Sequence, residues 1–318
     1  MQELSGISLE KINILCYNFL IIRTERNTDM TIRRFLPFLL AAGMLFSLAA
    51  IPQRASALIE TDKTIVAFGD SITAAGTWFA DAEKTYNITV VNKGVGGWNS
   101  ADGRNAFASA LALKPDVLFL SFGMNDSARD MAKYVPLEKY RENMRYMIEK
   151  AGAAGARVIL VIENPIGEDD YYTRHDRNVF EPFGGINAFY LQYVEAAREL
   201  AKDCGVVVMD MHRIFSEDGR SMDVLLADGV HPSAQGYALY ASALCDALLR
   251  LDLGDVNGDG RIDALDYMLI KRHVIGSFVV DARKDYADVN RSGSIDALDY
   301  MMVKRHVIGS FTIDRNPA

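Results

Sequence analysis

Cysteine, histidine and net positive charge are all scarce in this chain. It has three Cys and five His among 318 residues. So few cysteines cannot form a disulfide framework, and no group of Cys and His has the spacing of a zinc site. Asp and Glu number 42 against 34 Lys and Arg, a formal net charge of -8. This balance argues against nucleic acid or an anionic membrane surface as a partner.

One long apolar run lies near the N-terminus, from Phe35 to Ile51. The basic segment Thr31–Arg34 precedes it and Ala55-Ser56-Ala57 follows it, a pattern typical of a secretory signal peptide cut after Ala57. We therefore interpret residues 1–57 as an upstream segment and a signal peptide that starts near Met30. A membrane anchor is the alternative, but 17 residues that include a proline and a glycine are short for a bilayer span.

The cleavage would remove Cys16 and leave Cys204 and Cys245. These two residues allow one bridge at most, and two buried free thiols are the interpretation that we favour.

Residues 58–251 have the pattern of an α/β domain. Short, nearly continuous apolar runs alternate with longer amphipathic segments, which is typical of parallel strands that are covered on both faces. The predicted strands are Thr64–Phe68, Ile88–Val91, Asp116–Phe122, Arg157–Ile162 and Val206–Asp210. The clearest helices are Leu137–Ala151, Ile186–Lys202 and Ala234–Arg250. We expect a doubly wound, five-stranded parallel sheet that binds its ligand at the carboxyl ends of the strands.

Four short blocks follow one another along this domain. They are Gly69-Asp70-Ser71-Ile72, Asn92-Lys93-Gly94-Val95-Gly96-Gly97, Gly123-Met124-Asn125-Asp126 and Asp228-Gly229-Val230-His231-Pro232. Three of them stand just after a predicted strand. Together they contain a hydroxyl, an imidazole, a carboxylate and several amide donors, which are the groups that acyl transfer through a serine requires.

Each group has a predicted role. A serine hydroxyl needs a base such as imidazole to take its proton, and a carboxylate to orient that base, so Ser71, His231 and Asp228 form a candidate triad. The backbone N–H groups of Ser71 and Gly97 and the side-chain amide of Asn125 are candidate donors to the oxyanion. The second block has three glycines, so a shift of the donor by one position stays open.

The four blocks resemble those of the SGNH, or GDSL, hydrolase superfamily. The resemblance covers residues 64–251 and implies a flavodoxin-like sheet and an esterase activity. It also implies that Ser71 is the nucleophile, that Gly97 and Asn125 are oxyanion donors, and that Asp228 and His231 complete the triad. Ile72 replaces the leucine of the family signature, a swap that conserves volume.

Other polar and aromatic residues are weaker candidates for a catalytic or substrate-binding role. His212 lies outside the matching block and is predicted to be structural, and His175 lies in a polar loop. That loop, residues 164–185, is long and holds Tyr171, Tyr172, Phe180 and Phe183. Long loops at this edge of a sheet often determine specificity, and Trp98 could stack on a sugar ring. Ordinary packing is the alternative for all of these aromatic residues.

The last part of the chain is an internal repeat. Residues 262–278 recur as residues 295–311, identical at 15 of 17 positions. A 12-residue loop starts seven residues before each copy and overlaps its first five residues. It has oxygen ligands at loop positions 1, 3, 5, 7, 9 and 12 and a glycine at position 6, a spacing that suits calcium. The first set is Asp255, Asn257, Asp259, the carbonyl of Arg261, Asp263 and Asp266. The second is Asp288, Asn290, Ser292, the carbonyl of Ser294, Asp296 and Asp299.

This repeat resembles a type I dockerin over residues 255–318, joined to the first domain by a short linker, residues 252–254. Dockerins are small all-α modules that bind two structural calcium ions and attach secreted enzymes to cohesin domains of a cellulosome scaffold. The candidate cohesin contacts are the pairs Ala264-Leu265, Ala297-Leu298, Lys271-Arg272 and Lys304-Arg305. A free-standing calcium-stabilised cap is the alternative, and in either case we expect no fold without calcium.

Together the two parts predict a secreted, cellulosome-associated serine esterase without a catalytic cofactor. The dockerin makes acetylated plant polysaccharide, xylan or pectin, the expected substrate, attacked through an acetyl-enzyme. Two alternatives stay open: a lipid-directed esterase or lysophospholipase of the same superfamily, and a carbohydrate-binding adaptor with a dead site.

Overall fold

The structure, a computed structural model, describes residues 63–86 and 88–316. Five strands form one parallel sheet in the order β2-β1-β3-β4-β5. The strands are β1 Ile65–Gly69, β2 Val90–Asn92, β3 Val117–Ser121, β4 Arg157–Ile162 and β5 Val207–Asp210. This order is that of flavodoxin-like sheets, in which the order of the strands reverses between β1 and β3. The predicted fold class is confirmed, and no strand end differs from the prediction by more than two residues.

The centre of the sheet is apolar on both faces. All residues of β1 and β3 are buried, and β1 pairs with β3 along its whole length, with Ile65 opposite Val117. Each large apolar side chain buried in this way contributes roughly 1.5–3 kcal/mol. A strand that is covered on both faces cannot alternate apolar and polar residues, which explains the continuous runs in the sequence.

Two helical layers cover the sheet. In one layer α3 and α6 pack on either side of α4, and in the other α2 packs on α9. Short helices complete the domain. The bounds are α1 Ser71–Ala75, α2 Thr77–Tyr86, α3 Ser100–Leu111, α4 Leu137–Ala153, α5 Glu168–Tyr171, α6 Ile186–Cys204, α7 Met211–Glu217, α8 Met222–Leu225 and α9 Ala234–Leu251.

The C-terminal repeat has a hydrophobic cluster of its own. Two equivalent helices, α10 Ala264–Val274 and α12 Ala297–Val307, pack against each other, and a one-turn helix, α11 Lys284–Ala287, precedes the second loop. Their shared core includes Ile270 and Val303, at equivalent positions of the repeat. All regular structure within residues 252–316 is helical, as the sequence predicts. The linker at residues 252–254 stays a prediction.

The end of the chain lies against β5, which is the edge strand of the sheet. The side-chain amide of Asn316 accepts a hydrogen bond from the N–H of Val208 and donates one to the carbonyl of Val206, each 2.7 Å long. The buried guanidinium of Arg250 donates to the carbonyls of Val208, at 2.7 Å, and Arg315, at 2.8 Å. Asn316 therefore satisfies backbone groups that an edge strand leaves open.

Two other predictions concern the cysteines and the N-terminal signal peptide. Neither Cys204 nor Cys245 forms a disulfide in the described residues, and both are half-buried rather than buried. The predicted signal peptide lies outside the described residues. Among the helices that the structure does describe, none has the length and hydropathy needed to cross a bilayer.

Candidate active site

The turn after β1 places Ser71 at the carboxyl edge of the sheet. A Cβ on Gly69 would lie 2.5 Å from the carbonyl oxygen of Ser121, so only glycine lets β1 end beside β3. Asp70 caps α1, because its Oδ1 accepts the N–H of Ile72 at 2.9 Å. Ser71 is then the first residue of α1, where a backbone N–H has no acceptor within the helix. Its N–H and its hydroxyl are both available to a ligand.

The loop before α9 brings an imidazole and a carboxylate to this serine. Nε2 of His231 lies 2.8 Å from Oγ of Ser71, and Nδ1 lies 2.8 Å from Oδ2 of Asp228. An ionised carboxylate only accepts hydrogen bonds, so it favours the tautomer with hydrogen on Nδ1. In that tautomer Nε2 is an acceptor for the serine hydroxyl. The sequence predicted this set of three residues, and the structure brings them together.

The carboxylate of Asp228 is held by the backbone of its own turn. Its Oδ1 accepts the N–H of Val230 at 3.0 Å and of His231 at 2.8 Å. Partial burial raises the pKa of Asp228, but these bonds and the imidazole outweigh it, so that the pKa lies below the usual value. Asp228 therefore stays ionised in mild acid.

The glycines of the second block differ in their surroundings. A Cβ on Gly94 would lie 2.3 Å from the backbone of Ala74, and the N–H of Gly94 donates to Asn92. A Cβ on Gly96 or Gly97 would meet no atom within 4 Å. Across residues 63–86 and 88–316, neither of these two N–H groups has a hydrogen-bond partner. Packing thus accounts for Gly94, and Gly96 and Gly97 are both open donors.

The amide of Asn125 is fixed from three sides. Its Nδ2 donates to the carbonyl of Trp98 at 2.8 Å and to Oδ2 of Asp70 at 3.1 Å. Its Oδ1 accepts a hydrogen bond from Nζ of Lys133 at 2.7 Å. Lys133 was not predicted from the sequence, and no motif marks it, because it lies in an irregular loop eight residues after Asn125.

Three carboxyl groups are buried behind the site: Asp70, Asp126 and Glu163. Glu163 accepts from the hydroxyl of Ser121 at 2.8 Å and from the N–H of Met124 at 2.9 Å. Burial and the neighbouring charge of Glu163 raise the pKa of Asp70 well above its usual range. Burial raises the pKa of Asp126 to about 7, although both of its oxygens accept from the N–H of Ser100. The sequence analysis gave none of these three residues a role as a titrating group.

Most of the aromatic residues in the loop of residues 164–185 pack inward. Tyr171 and Phe180 are buried in the main core, which supports ordinary packing. His175 stacks on Tyr171 at 3.8 Å, and its Nδ1 lies 2.9 Å from both carboxylate oxygens of Asp130. Phe183 is partly exposed beneath the guanidinium of Arg129.

Three further side chains in this domain, His212, Arg174 and Trp98, have contacts that can be identified. Burial lowers the pKa of His212, whose ring lies against Tyr190. Arg174, which the sequence analysis did not single out, donates to the carbonyl of Asp228 at 2.6 Å. Trp98 is half-buried, with its ring edge-on to Phe68.

The first residue of each predicted calcium loop accepts two backbone N–H groups of its own loop. Asp255 accepts N–H bonds from Gly258 and Gly260, and Asp288 accepts them from Ser292 and Gly293. The residues at position 12, Asp266 and Asp299, are buried and accept N–H bonds within their own loops. Asp263 and Asp296 at position 9 cap α10 and α12.

This donor set consists of oxygen atoms alone, which fits a hard cation such as calcium. Asp255 and Asp266 lie close enough for each charge to act on the other, and burial raises the pKa of Asp266. Two buried like charges favour a bound cation. In the described part of the chain, no three side chains of His, Cys, Asp or Glu form a ready-made metal cluster.

The chain resembles known proteins in both of its parts. Residues 67–239 match the GDSL-like lipase/acylhydrolase family, and residues 253–308 match the type I dockerin domain. An uncharacterized lipoprotein of Bacillus subtilis is 32% identical over 186 residues, covering 51% of this chain and 76% of that protein. An acetylxylan esterase of Xylanibacter ruminicola is 26% identical over 45% of this chain, but this stretch is only 30% of that larger protein.

A solved structure supports the same fold. A catalytic mutant of an acetylxylan esterase from Geobacillus stearothermophilus superposes with a TM-score of 0.51 at 21% identity, covering 60% of this chain and 95% of that one. Since the family match spans more than half of the chain, the protein belongs to the GDSL-like lipase/acylhydrolase family of carboxylic ester hydrolases and carries a C-terminal type I dockerin domain.

Proposed function

We propose that this esterase removes acetyl groups from plant cell-wall polysaccharide, with Ser71 as nucleophile, His231 as general base and Asp228 as the residue that orients His231. The observation that carries the proposal is the continuous line of contacts from Oδ2 of Asp228 through the imidazole to Oγ of Ser71. A hydroxyl that is hydrogen-bonded to an oriented imidazole is the arrangement needed for nucleophilic catalysis.

In the proposed reaction Oγ of Ser71 attacks the acetyl carbonyl carbon while Nε2 of His231 takes the hydroxyl proton. The carbonyl π electrons move to oxygen and form an oxyanion. When the oxyanion collapses, the bond to the sugar oxygen breaks, and His231 gives its proton to that oxygen. Water then attacks the acetyl-enzyme with His231 again as base, which releases acetate and restores the hydroxyl of Ser71.

The proposed oxyanion donors are the N–H groups of Ser71 and Gly97 and the Nδ2 of Asn125. Supporting this choice, the N–H groups of Ser71 and Gly97 have no acceptor within their own elements, and Asn125 is held rigidly. Loss of one such donor typically costs about 3 kcal/mol of transition-state stabilisation.

The proposed substrate is inferred from the dockerin domain in the same chain and from the names of similar proteins. A dockerin attaches enzymes to a scaffold that degrades polysaccharide, and two of the relatives above are named acetylxylan esterases. Acetate release from acetylated xylan and acetylated pectin tests the proposal directly. We expect Ser71→Ala to abolish release and Ser216→Ala, a change on the outer surface of α7, to leave it intact. Unchanged turnover by Ser71→Ala would exclude Ser71 as the nucleophile.

Nitrophenyl esters of increasing chain length separate this proposal from a lipid-directed esterase. We expect an optimum at acetate. An optimum at long acyl chains would favour the lipid substrate instead, and the absence of hydrolysis on every ester would favour an adaptor with a dead site.

We further propose that the dockerin binds two structural calcium ions, one in each loop. When bound, calcium would neutralise the acidic side chains that each loop gathers. One ion would be held in the first loop by Asp255, Asn257, Asp259, the carbonyl of Arg261, Asp263 and Asp266. The second would be held by Asp288, Asn290, Ser292, the carbonyl of Ser294, Asp296 and Asp299. Calorimetric titration should give two ions per chain, and one after either Asp255→Ala or Asp288→Ala. Two ions in both variants would exclude these ligand sets.

The proposed partner of the dockerin is a cohesin domain, and the protein is proposed to be secreted. Leu265 and Leu298 are 60% and 62% exposed at the start of α10 and α12, which leaves both pairs accessible. We expect the double variant Leu265→Asp, Leu298→Asp to lose binding to a panel of cohesins.

Mass spectrometry of the exported protein should show an N-terminus at Leu58, and an intact Met30 would contradict cleavage after Ala57.

A further inference from the structure

A charged neighbour contributes to the orientation of the Asn125 amide. An ammonium group has three donors and no acceptor, so the contact between Nζ of Lys133 and the amide must be made with Oδ1. This contact turns Nδ2 toward Asp70 and the carbonyl of Trp98. The carbonyl of Trp98 and Oδ2 of Asp70 accept from Nδ2, so all three partners favour the same orientation of the amide.

Lys133 is held where it can act in this way. Its carbonyl accepts a hydrogen bond from Nδ2 of Asn99 at 2.8 Å, and the N–H of Val135 donates to the carbonyl of Asp126 at 3.0 Å. These backbone bonds fix the loop on both sides of the lysine and do not involve its side chain. Within the described residues, no carboxylate forms an ion pair with Lys133, so its charge is not neutralised by a neighbour.

The side-chain amide of Asn125 already makes three hydrogen bonds. Both hydrogens of Nδ2 are already directed at acceptors. Such an amide can donate to a third acceptor only by sharing a hydrogen, and a shared bond is weak unless the N–H is strongly polarised. A cation on the amide oxygen draws electron density from nitrogen, which makes the N–H a better donor.

We propose that Lys133 is a positioning residue for the oxyanion hole, which orients and polarises the Asn125 amide so that Nδ2 donates to the developing oxyanion. This inference rests on the proposed function. The lysine acts through Asn125 and need not touch the substrate. Its effect should therefore appear in the chemical step and not in substrate binding.

The test is steady-state kinetics of the full chain on 4-nitrophenyl acetate, a small uncharged substrate without a sugar to contact. Lys133→Met keeps the length of the side chain and removes its charge. We expect it to lower kcat roughly 10–100-fold, less than loss of the whole amide, with KM changed by less than about twofold. Lys133→Arg, which can still donate to Oδ1, should recover most of the loss. The matched control is Lys139→Met, on the exposed side of α4, which should behave as wild type.

A double-mutant cycle makes the test specific. If Lys133 acts through Asn125, then Lys133→Met should have almost no further effect on the Asn125→Ala variant. Full additivity of the two effects, a wild-type kcat for Lys133→Met, or a change in KM alone would each overturn the inference. The proposed function would fail separately, through residual activity of Ser71→Ala.

Discussion

Nε2 of His231 lies 2.8 Å from Oγ of Ser71, although 160 positions separate the two residues in the chain. One residue follows β1 and the other precedes α9. Their contact therefore depends on the correct packing of the whole sheet domain, and it places a proton acceptor beside a hydroxyl that would otherwise be a poor nucleophile.

Replacement of the carboxylate should disable the imidazole. In Asp228→Asn the amide oxygen can still accept the N–H groups of Val230 and His231, which leaves the NH₂ group facing Nδ1 of His231. An NH₂ group in that place stabilises the wrong tautomer of the imidazole. We expect kcat to fall by roughly 10⁴-fold, as for the same change in the serine protease triad. The measurement is kcat on 4-nitrophenyl acetate, with Asp169→Asn, an exposed carboxylate of α5, as the control. A kcat within tenfold of wild type would argue that Asp228 does not orient the base.

The two open glycines can be told apart. Gly97 has φ of +79°, in the left-handed region, whereas Gly96 is absent from the positive-φ positions of the described residues. A side chain in that region costs roughly 1–2 kcal/mol, so Gly97→Ala should shift the N–H and lower kcat, and Gly96→Ala should have the smaller effect. Both variants are compared on the same ester, and the opposite order would move the donor to Gly96.

The buried carboxyl of Asp126 should make stability depend on pH. Its pKa is about 7 in the folded chain, against about 3.9 in an unfolded one. The folded state thus binds more protons between these values, and the stability contributed by this group falls as pH rises across that window.

Asp126→Asn removes this titration. Its single remaining oxygen can still accept the N–H of Ser100, which both carboxylate oxygens now share. We expect the melting temperature of the variant to fall less between about pH 4 and pH 7 than that of wild type. Asp169→Asn serves as the exposed control, and parallel curves for wild type and Asp126→Asn would refute the assignment.

The side-chain amide of Asn316 should stabilise the sheet domain. Asn316→Ala leaves the N–H of Val208 and the carbonyl of Val206 without their partner, which should cost about 1–3 kcal/mol of unfolding free energy. Urea denaturation of the full chain measures the loss, and Thr312→Ala, at an exposed site in the same segment, is the control. Equal stability of the two variants would show that Asn316 does not support β5.

Prediction from sequence succeeded where local patterns carry the information. The predicted helix at residues 186–202 is observed as Ile186–Cys204, and the predicted strand at residues 157–162 as Arg157–Ile162. Period and apolar content identify such elements. The helix at residues 100–111 was not among the clearest predicted ones, because Gly103 and several small or polar residues weaken the pattern. In the structure the helix begins with a capping box from Asn99 and Asp102.

Residues that act through others were beyond prediction. Lys133, Arg174 and Glu163 reach the site from three different segments, and no spacing between them and the four blocks reveals this. Only the packed chain shows that an ammonium group meets the amide oxygen of Asn125, or that a glutamate lies buried behind Ser121.

The sequence by itself determined the two-part organisation, the order of the strands along the chain, and the residue types of the candidate triad and of the calcium loops. Tertiary structure decided which groups are in contact, which way the Asn125 amide is turned, which carboxyls have a raised pKa, and how Asn316 binds the edge strand β5. The physical reason is that periodicity and turn chemistry act over a few neighbouring residues, whereas burial and hydrogen-bond geometry depend on segments that meet only when the chain is folded.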